Sequence, residues 1–322
     1  GINNQNILVF YTLSEQASVV MLKFTQVSGT PDEFSPHIVT AQLTANKGDN
    51  GTITLNGSNL NNDASNSTSN DVLQSYAVYE VYMEIVDRAE NVGSSAVNIN
   101  WTYDSQAPVI DLRQPITNGF DNDSIAVEYE LSEQVSPSTI KLIFEGPATI
   151  TIPSGSLTVT KGKNSLFLYG TAANLQEGTY SVKMEAVDLA GNKGVSGIST
   201  NWTYDNTLGT PTVKLANGAT YTKTAFVELM ITENADVVTW YNSETQMDTP
   251  IYKKPSCFIL SSKNDGTKTV YVWVKDKAEN ISVGTDTIIL DTIPPIVTLN
   301  KPAQNSMDNG DIAVDYTVSE GY

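Results

Sequence analysis

Cysteine and histidine occur once each in the 322 residues, as Cys257 and His37. A single cysteine excludes an internal disulfide. Secreted eukaryotic domains more often carry a bridge, whereas an exported microbial surface protein with larger cores does not need one. Cys257 lies in "SCFILSS", a strand-like run, and is expected to be a small buried hydrophobe. His37, beside Pro36 in a turn-like stretch, is expected to be exposed and inert. The chain also lacks a Ser/His/Asp order, a G-x-S-x-G, a phosphate-binding loop and a zinc spacing. No hydrolase or transferase activity is therefore expected.

Basic residues are scarce, 18 against 36 acidic ones, for a formal charge of −18. Such a surface repels nucleic acid and anionic membranes and attracts cations. Solubility alone would also account for it. No apolar run is long enough to span a bilayer, so no membrane insertion is expected. No stretch reads as a signal peptide, which leaves processed material or an internal piece of something longer.

Thr, Val, Ile, Tyr, Ser, Asn and Gly abound, a mixture that favours strands joined by polar turns. Three markers recur in a fixed order. The first is an alternating strand ending in an acid: "NILVFYTLSEQ" (6–16), "SIAVEYELSEQ" (124–134), "AFVELMITENA" (225–235) and "DIAVDYTVSEG" (311–321). The second is an Asp-x-Ala-x-Asn corner: "IVDRAENVG" (85–93), "AVDLAGNKG" (186–194) and "VKDKAENIS" (274–282). The third is a strand running into Asp and then Pro: "NWTYDSQAP" (100–108), "NWTYDNTLGTP" (201–211) and "TIILDTIPP" (287–295). Residues 108–133 and 295–320 align without a gap, with 12 of 26 positions identical. These repeats predict tandem domains.

Within the second repeat "PVIDL" is strand A, "SIAVEYEL" B and "TIKLIFE" C, with "SLTVT" and "SLFLYG" covering the middle. "GTYSVKMEAVD" is F and "SGISTNWTYD" is G. Alternation of period two through B, F and G predicts half-buried antiparallel sheets. That many strands in about 100 residues predicts an all-β fold of tandem immunoglobulin-like β-sandwiches forming an elongated rod. Trp101 and Trp202, late in strand G, are expected in the packing between sheets. The expected divisions are 1–106, an Ig-like domain lacking its first strand, then full domains at 107–207 and 208–293. Residues 294–322 supply the first two strands of a further, incomplete domain. Residues 46–71, rich in Asn and Ser, are expected to form a mobile loop.

The markers "YELSEQV", "AVDLAGN" and "YD…P", in that order, resemble bacterial Ig-like domains found in tandem in large microbial surface proteins and adhesins. The resemblance implies an extracellular location and a stalk, spacer or binding role, and the fold by itself does not choose among these. The expected role is structural: a subunit of a fibre, pilus-like filament or adhesin stalk. Copies of the chain would join head to tail, with a strand from one completing the next. The alternatives are a glycan- or receptor-binding module of an adhesin and the accessory repeats of a secreted enzyme.

In an Ig sandwich the B–C and F–G turns share a pole with the incoming linker. The acid after strand B, the corner and the linker Asp should therefore converge. One junction has Asp104, Glu133, Asp188 and Asn192; the next has Asp205, Glu233, Asp276 and Asn280. Asp291 and Glu320 begin a third set, and Glu15, Asp87 and Asn91 form one without a linker Asp. Two readings are open. The corner alone is explained as an Asp-capped turn. The convergent Glu and linker Asp instead suit Ca²⁺, which takes irregular shells of oxygen ligands. No other cofactor is expected. Sequons at Asn50, Asn56, Asn66, Asn100, Asn122, Asn201 and Asn280 offer glycosylation acceptors, a number near chance for this composition.

Overall fold

The computed structural model describes residues 2–3, 6–61, 72–233, 236–260 and 264–319. The chain divides into two compact units, Gly1–Tyr204 and Asp205–Tyr322. The first unit holds two tandem β-sandwiches, and each is built because alternate residues of long strands are apolar and face inward.

In the first sandwich the strands are β1 (Ile2–Asn3), β2 (Asn6–Leu13), β3 (Ala17–Gly29), β4 (His37–Val39), β5 (Gly48–Asn56), β6 (Ala77–Asp87), β7 (Val92–Ser94) and β8 (Asn98–Tyr103). One sheet runs β1-β8-β6-β3-β4, with β7 on β6, and the facing sheet is β2-β5. In the second the strands are β9 (Ile110–Gln114), β10 (Phe120–Asp121), β11 (Ser124–Leu131), β12 (Lys141–Glu145), β13 (Thr149–Ile152), β14 (Gly162–Tyr169), β15 (Gly178–Val187), β16 (Lys193–Val195) and β17 (Ser199–Tyr204). Its sheets run β10-β17-β15-β12-β13, with β16 on β15, and β14-β11-β9. The two sandwiches match strand for strand, except that β2 carries no counterpart of β9 among the described residues.

The two cores repeat as well. Phe24, Tyr79, Trp101 and Tyr103 form an aromatic cluster in one, and Phe144, Tyr180, Trp202 and Tyr204 form the same cluster in the other, with matching ring geometry. Both tryptophans are buried between the sheets. Trp202 Nε1 also donates to Asp121 Oδ2 at 2.7 Å.

The second unit contains β18 (Thr212–Leu215), β19 (Tyr221–Thr222), β20 (Phe226–Thr232), β21 (Val237–Ser243), β22 (Cys257–Ile259), β23 (Gly266–Asp276), β24 (Ile281–Leu290), β25 (Val297–Lys301) and β26 (Asp315–Val318). Sheets β19-β24-β23-β21 and β18-β20-β22 enclose a core of Leu215, Leu229, Val270, Val272, Val274, Ile288 and neighbours. Ile288 and Leu290 stand where the first unit has Trp202 and Tyr204, so this core is aliphatic. Among the described residues the last two strands pair with each other and with no other strand.

Four expectations are corrected. Residues 46–71 are not one loop: β5 occupies 48–56 and pairs with β2, because Ile53 and Leu55 alternate inward between threonines. Residues 62–71 lie outside the described residues. "SLTVT" (156–160) is not a strand; its first residue closes a 3₁₀ turn at Ser154–Ser156, and the middle strands are β13 and β14. Cys257 is exposed, since in β22 it shares the outward face with Ile259 while Phe258 turns inward. His37 is buried, 1% exposed, because β4 folds it under the Asp32 loop.

Candidate cation site

The corner is a closed hydrogen-bond system. Asp188 Oδ1 accepts the backbone N–H groups of Ala190, Gly191 and Asn192 at 2.7, 2.7 and 2.9 Å. Its Oδ2 accepts from Asn192 Nδ2 at 2.8 Å, and the Asp188 N–H donates to Asn192 O at 3.0 Å. A carboxylate that satisfies three turn amides fixes the loop in one conformation. Asp87 does the same with Ala89 and Asn91, and those bonds from Asn91 hold its carboxyl below the usual range. Asp276 does so with Asn280. The capped-turn reading therefore accounts for the recurrence of the corner.

The turn does not account for what gathers over it. Asn192 Nδ2 also donates to the carbonyl of Asp104 at 2.9 Å, drawing the linker after β8 onto the corner. An isolated bridge pairs Val135 with Asp188, and the Ser136 N–H donates to Val187 O at 2.8 Å. That holds the turn after β11, and with it Glu133, on the other side. The carboxylate oxygens of Asp104, Glu133 and Asp188 consequently lie within 4.8 Å of one another, the one such trio among the described residues. Asp104 and Asp188 are buried and Glu133 is half-buried.

Three carboxylates this close repel one another. Burial, then the Asp188 charge, pushes the Asp104 carboxyl up against hydrogen bonds from Gln106 and Ser75. Burial followed by the charges of Asp104 and Asp188 pushes Glu133 up. Tyr76 donates its hydroxyl to Glu133 Oε1 at 3.3 Å. Burial and the Asp104 and Glu133 charges push that hydroxyl up to about 12. No basic side chain forms an ion pair with the trio among the described residues. Asp104 Oδ1 takes Ser75 Oγ and the Gln106 N–H, both at 3.1 Å, while Oδ2 of Asp104 and Oε2 of Glu133 receive no donor there. An all-oxygen, net-negative cluster with two open carboxylate oxygens fits a hard divalent cation.

The second junction does not close in this way. Asn280 Nδ2 donates to the Asp205 carbonyl at 2.8 Å, repeating the linker tie. Glu233, however, pairs with Lys254 Nζ at 2.8 Å, so its charge is already matched. Asp205, Glu233 and Asp276 do not gather as closely as the first trio among the described residues. Glu320 lies outside the described residues, as does Asn66. Glu15 is exposed. Among the other sequons, Asn280 commits its amide nitrogen to Asp205 and Asp276. Asn56, Asn100 and Asn201 are exposed, and Asn50 and Asn122 are half-buried.

One polar cluster escaped sequence reasoning. Asp32 Oδ2 receives the Tyr79 hydroxyl and lies 2.7 Å from His37 Nε2; His37 and Tyr79 are buried, and Asp32 is half-buried with its side chain turned inward. Only the spacing Asp32–His37 hinted at it; Tyr79 comes from a strand 47 residues away.

No protein-family model matches the sequence, and no curated protein matches it significantly. Among solved structures the chain is similar to the fibronectin(III)-like modules of Clostridium thermocellum CbhA, at 12% identity over 56% of this chain and 92% of that one, TM-score 0.33. It is also similar to a tetra-tandem repeat in the extending region of a large adhesion protein, at 17% identity over 94% and 75%, TM-score 0.29. A third is Bacteroides ovatus SGBP-B in complex with a mixed-linkage heptasaccharide, at 11% identity over 96% and 70%, TM-score 0.21. The tandem β-sandwich assignment rests on the sheets themselves.

Proposed function

We propose that this chain is a run of β-sandwich modules from an extracellular microbial surface protein, acting as a stalk or fibre rather than as a catalyst. In this reading Ca²⁺ is held by Asp104, Glu133 and Asp188 where one module joins the next. The observation that carries it is the trio itself: three carboxylates from a linker, a B–C turn and an F–G corner meet within 4.8 Å of one another. A bound cation would offset the repulsion among them. The chain's own residues do the rest: Asn192 fixes the linker carbonyl, Ser75 and Gln106 orient Asp104, and Tyr76 orients Glu133. The uniform repetition of polar corners and the burial of the single histidine support a structural role, as does the acidic surface, which discourages nucleic-acid partners.

Isothermal titration with Ca²⁺ tests the reading. One site per chain is expected, with a dissociation constant of about 0.1–1 mM as in extracellular modules. Glu133→Gln should abolish the heat. Absence of binding at millimolar Ca²⁺ would remove the cation from the account, and turnover lost on changing one residue would remove the structural role.

A further inference from the structure

The outer face of the β14-β11-β9 sheet carries more than its fold requires. Alternation along β14 sends Leu166 and Leu168 inward, where they pack on the core of the second sandwich. Ser165, Phe167 and Tyr169 therefore point to solvent, and the two rings are 69% and 57% exposed. Across the ladder the rings face Ala126 and Ser124, side chains too small to cover them. The first sandwich forms without such a pair. Its β5 pairs with β2 as β14 pairs with β11, and Thr54 and Asn56 stand where Phe167 and Tyr169 do. Two adjacent rings left in water gain little on folding, and patches of this kind mark interaction sites.

The same face is hollowed beside the rings. A shallow cavity of about 230 Å³ is lined by Arg113, Glu128, Lys163 and Ser165, with Tyr129 and Asn164. Arg113 is committed to Asp111 Oδ2, at 2.9 Å, and to Glu130. Glu128 and Lys163 are exposed and form no ion pair among the described residues. The groove thus offers an acceptor, a donor and a hydroxyl that is both.

That mixture of charges selects the ligand. An anion would meet Glu128 and Glu130, and a cation would meet Lys163 and Arg113. A second copy of this chain would bring a surface of formal charge −18 to a face that already holds carboxylates. An uncharged ligand rich in hydroxyl groups meets neither penalty, because each hydroxyl both donates and accepts. A pyranose also presents C–H bonds on its ring faces, which suit the negative faces of aromatic rings. Alternate residues of a strand are roughly 7 Å apart, so successive sugar rings of one chain can each meet one aromatic ring.

We propose that this face binds a neutral oligosaccharide of pyranose units. Phe167 and Tyr169 stack on its rings, and Glu128, Lys163 and Ser165 hydrogen-bond its hydroxyls. The stalk then carries a recognition surface on its second sandwich. That surface shares no residue with the acidic trio, so it does not depend on the cation site.

Affinity electrophoresis of the full chain in chelator tests it, through gels holding a neutral glucan, mannan, galactan or xylan. At least one polymer should retard the protein, and its hexasaccharide should bind in titration calorimetry with one site per chain. Polygalacturonate, an acidic polymer, should leave the mobility unchanged. The variant F167A/Y169A changes only exposed side chains, so it should keep the wild-type circular dichroism spectrum. It should bind about tenfold more weakly or worse. Glu128→Gln should weaken binding as well, whereas Phe10→Ala, on the first sandwich, should not. No retardation by any of the four neutral polymers, retardation unchanged in F167A/Y169A, or stronger retardation by polygalacturonate would overturn the proposal. So would light scattering that shows a wild-type dimer lost in F167A/Y169A, because the rings would then pack against a second copy.

Discussion

The side-chain amide of Asn192 bonds to the main-chain carbonyl of Asp104 across 88 residues of sequence, and Asn280 repeats the bond to Asp205 at 2.8 Å. The asparagine of the corner therefore does two jobs: it closes its own turn and clasps the linker. Asn192→Ala and Asn280→Ala should each cost about 1–3 kcal/mol, because a linker carbonyl loses its donor. Asn91→Ala should cost less, since among the described residues its amide serves Asp87 and no linker carbonyl. Urea unfolding of the three variants checks the order.

Glycine substitution separates a tight backbone contact from a looser side-chain one. Gly194→Ala should destabilise by about 1–3 kcal/mol, since Pro108 O must move with its strand. Gly284→Ala should behave likewise against Pro211. Gly93→Ala should stay within about 0.5 kcal/mol of wild type, since a Cβ there meets Ile85 side-chain atoms no closer than 3.3 Å. Thermal unfolding measures all three.

Acid should loosen the first sandwich through Asp32. Burial pushes its carboxyl up, but hydrogen bonds from Tyr79 and His37 outweigh that and hold it below the usual range. A group depressed on folding stabilises above its unfolded value, about 3.9, and that contribution is lost as pH falls through the folded value. Asp32→Asn should thus flatten the acid limb of the stability curve below about pH 4 while lowering the plateau above it. Denaturant midpoints across that range report it.

Much of the fold is legible in the sequence because strand alternation and turn chemistry are local. "SIAVEYEL" and "GTYSVKMEAV" show their inward faces directly, and both fold as read. β5 hides because Asn, Gly and Thr dominate its composition, while two aliphatic residues suffice to hold its face. His37 and Cys257 were misjudged for a related reason: burial depends on which side of a strand the chain presents, and short strands carry too little alternation to show it. The convergence of Asp104, Glu133 and Asp188 follows from Ig topology, so the sequence contains it. The failure at Glu233 does not follow, because Lys254 belongs to no repeat marker.

Thermal unfolding of the full chain in calcium and in chelator, beside the Glu133→Gln variant, tests the central claim most directly. Burial and mutual repulsion raise the Asp104 and Glu133 carboxyls, so in chelator their ionisation opposes folding as pH rises through the folded values. Calcium at about tenfold its dissociation constant should then add about 1.4 kcal/mol at neutral pH, a rise of roughly 3–6 °C for a unit of this size. The variant should melt above wild type in chelator and gain nothing from calcium. Identical melting of wild type in calcium and chelator, with the variant no more stable than wild type in chelator, would contradict the account.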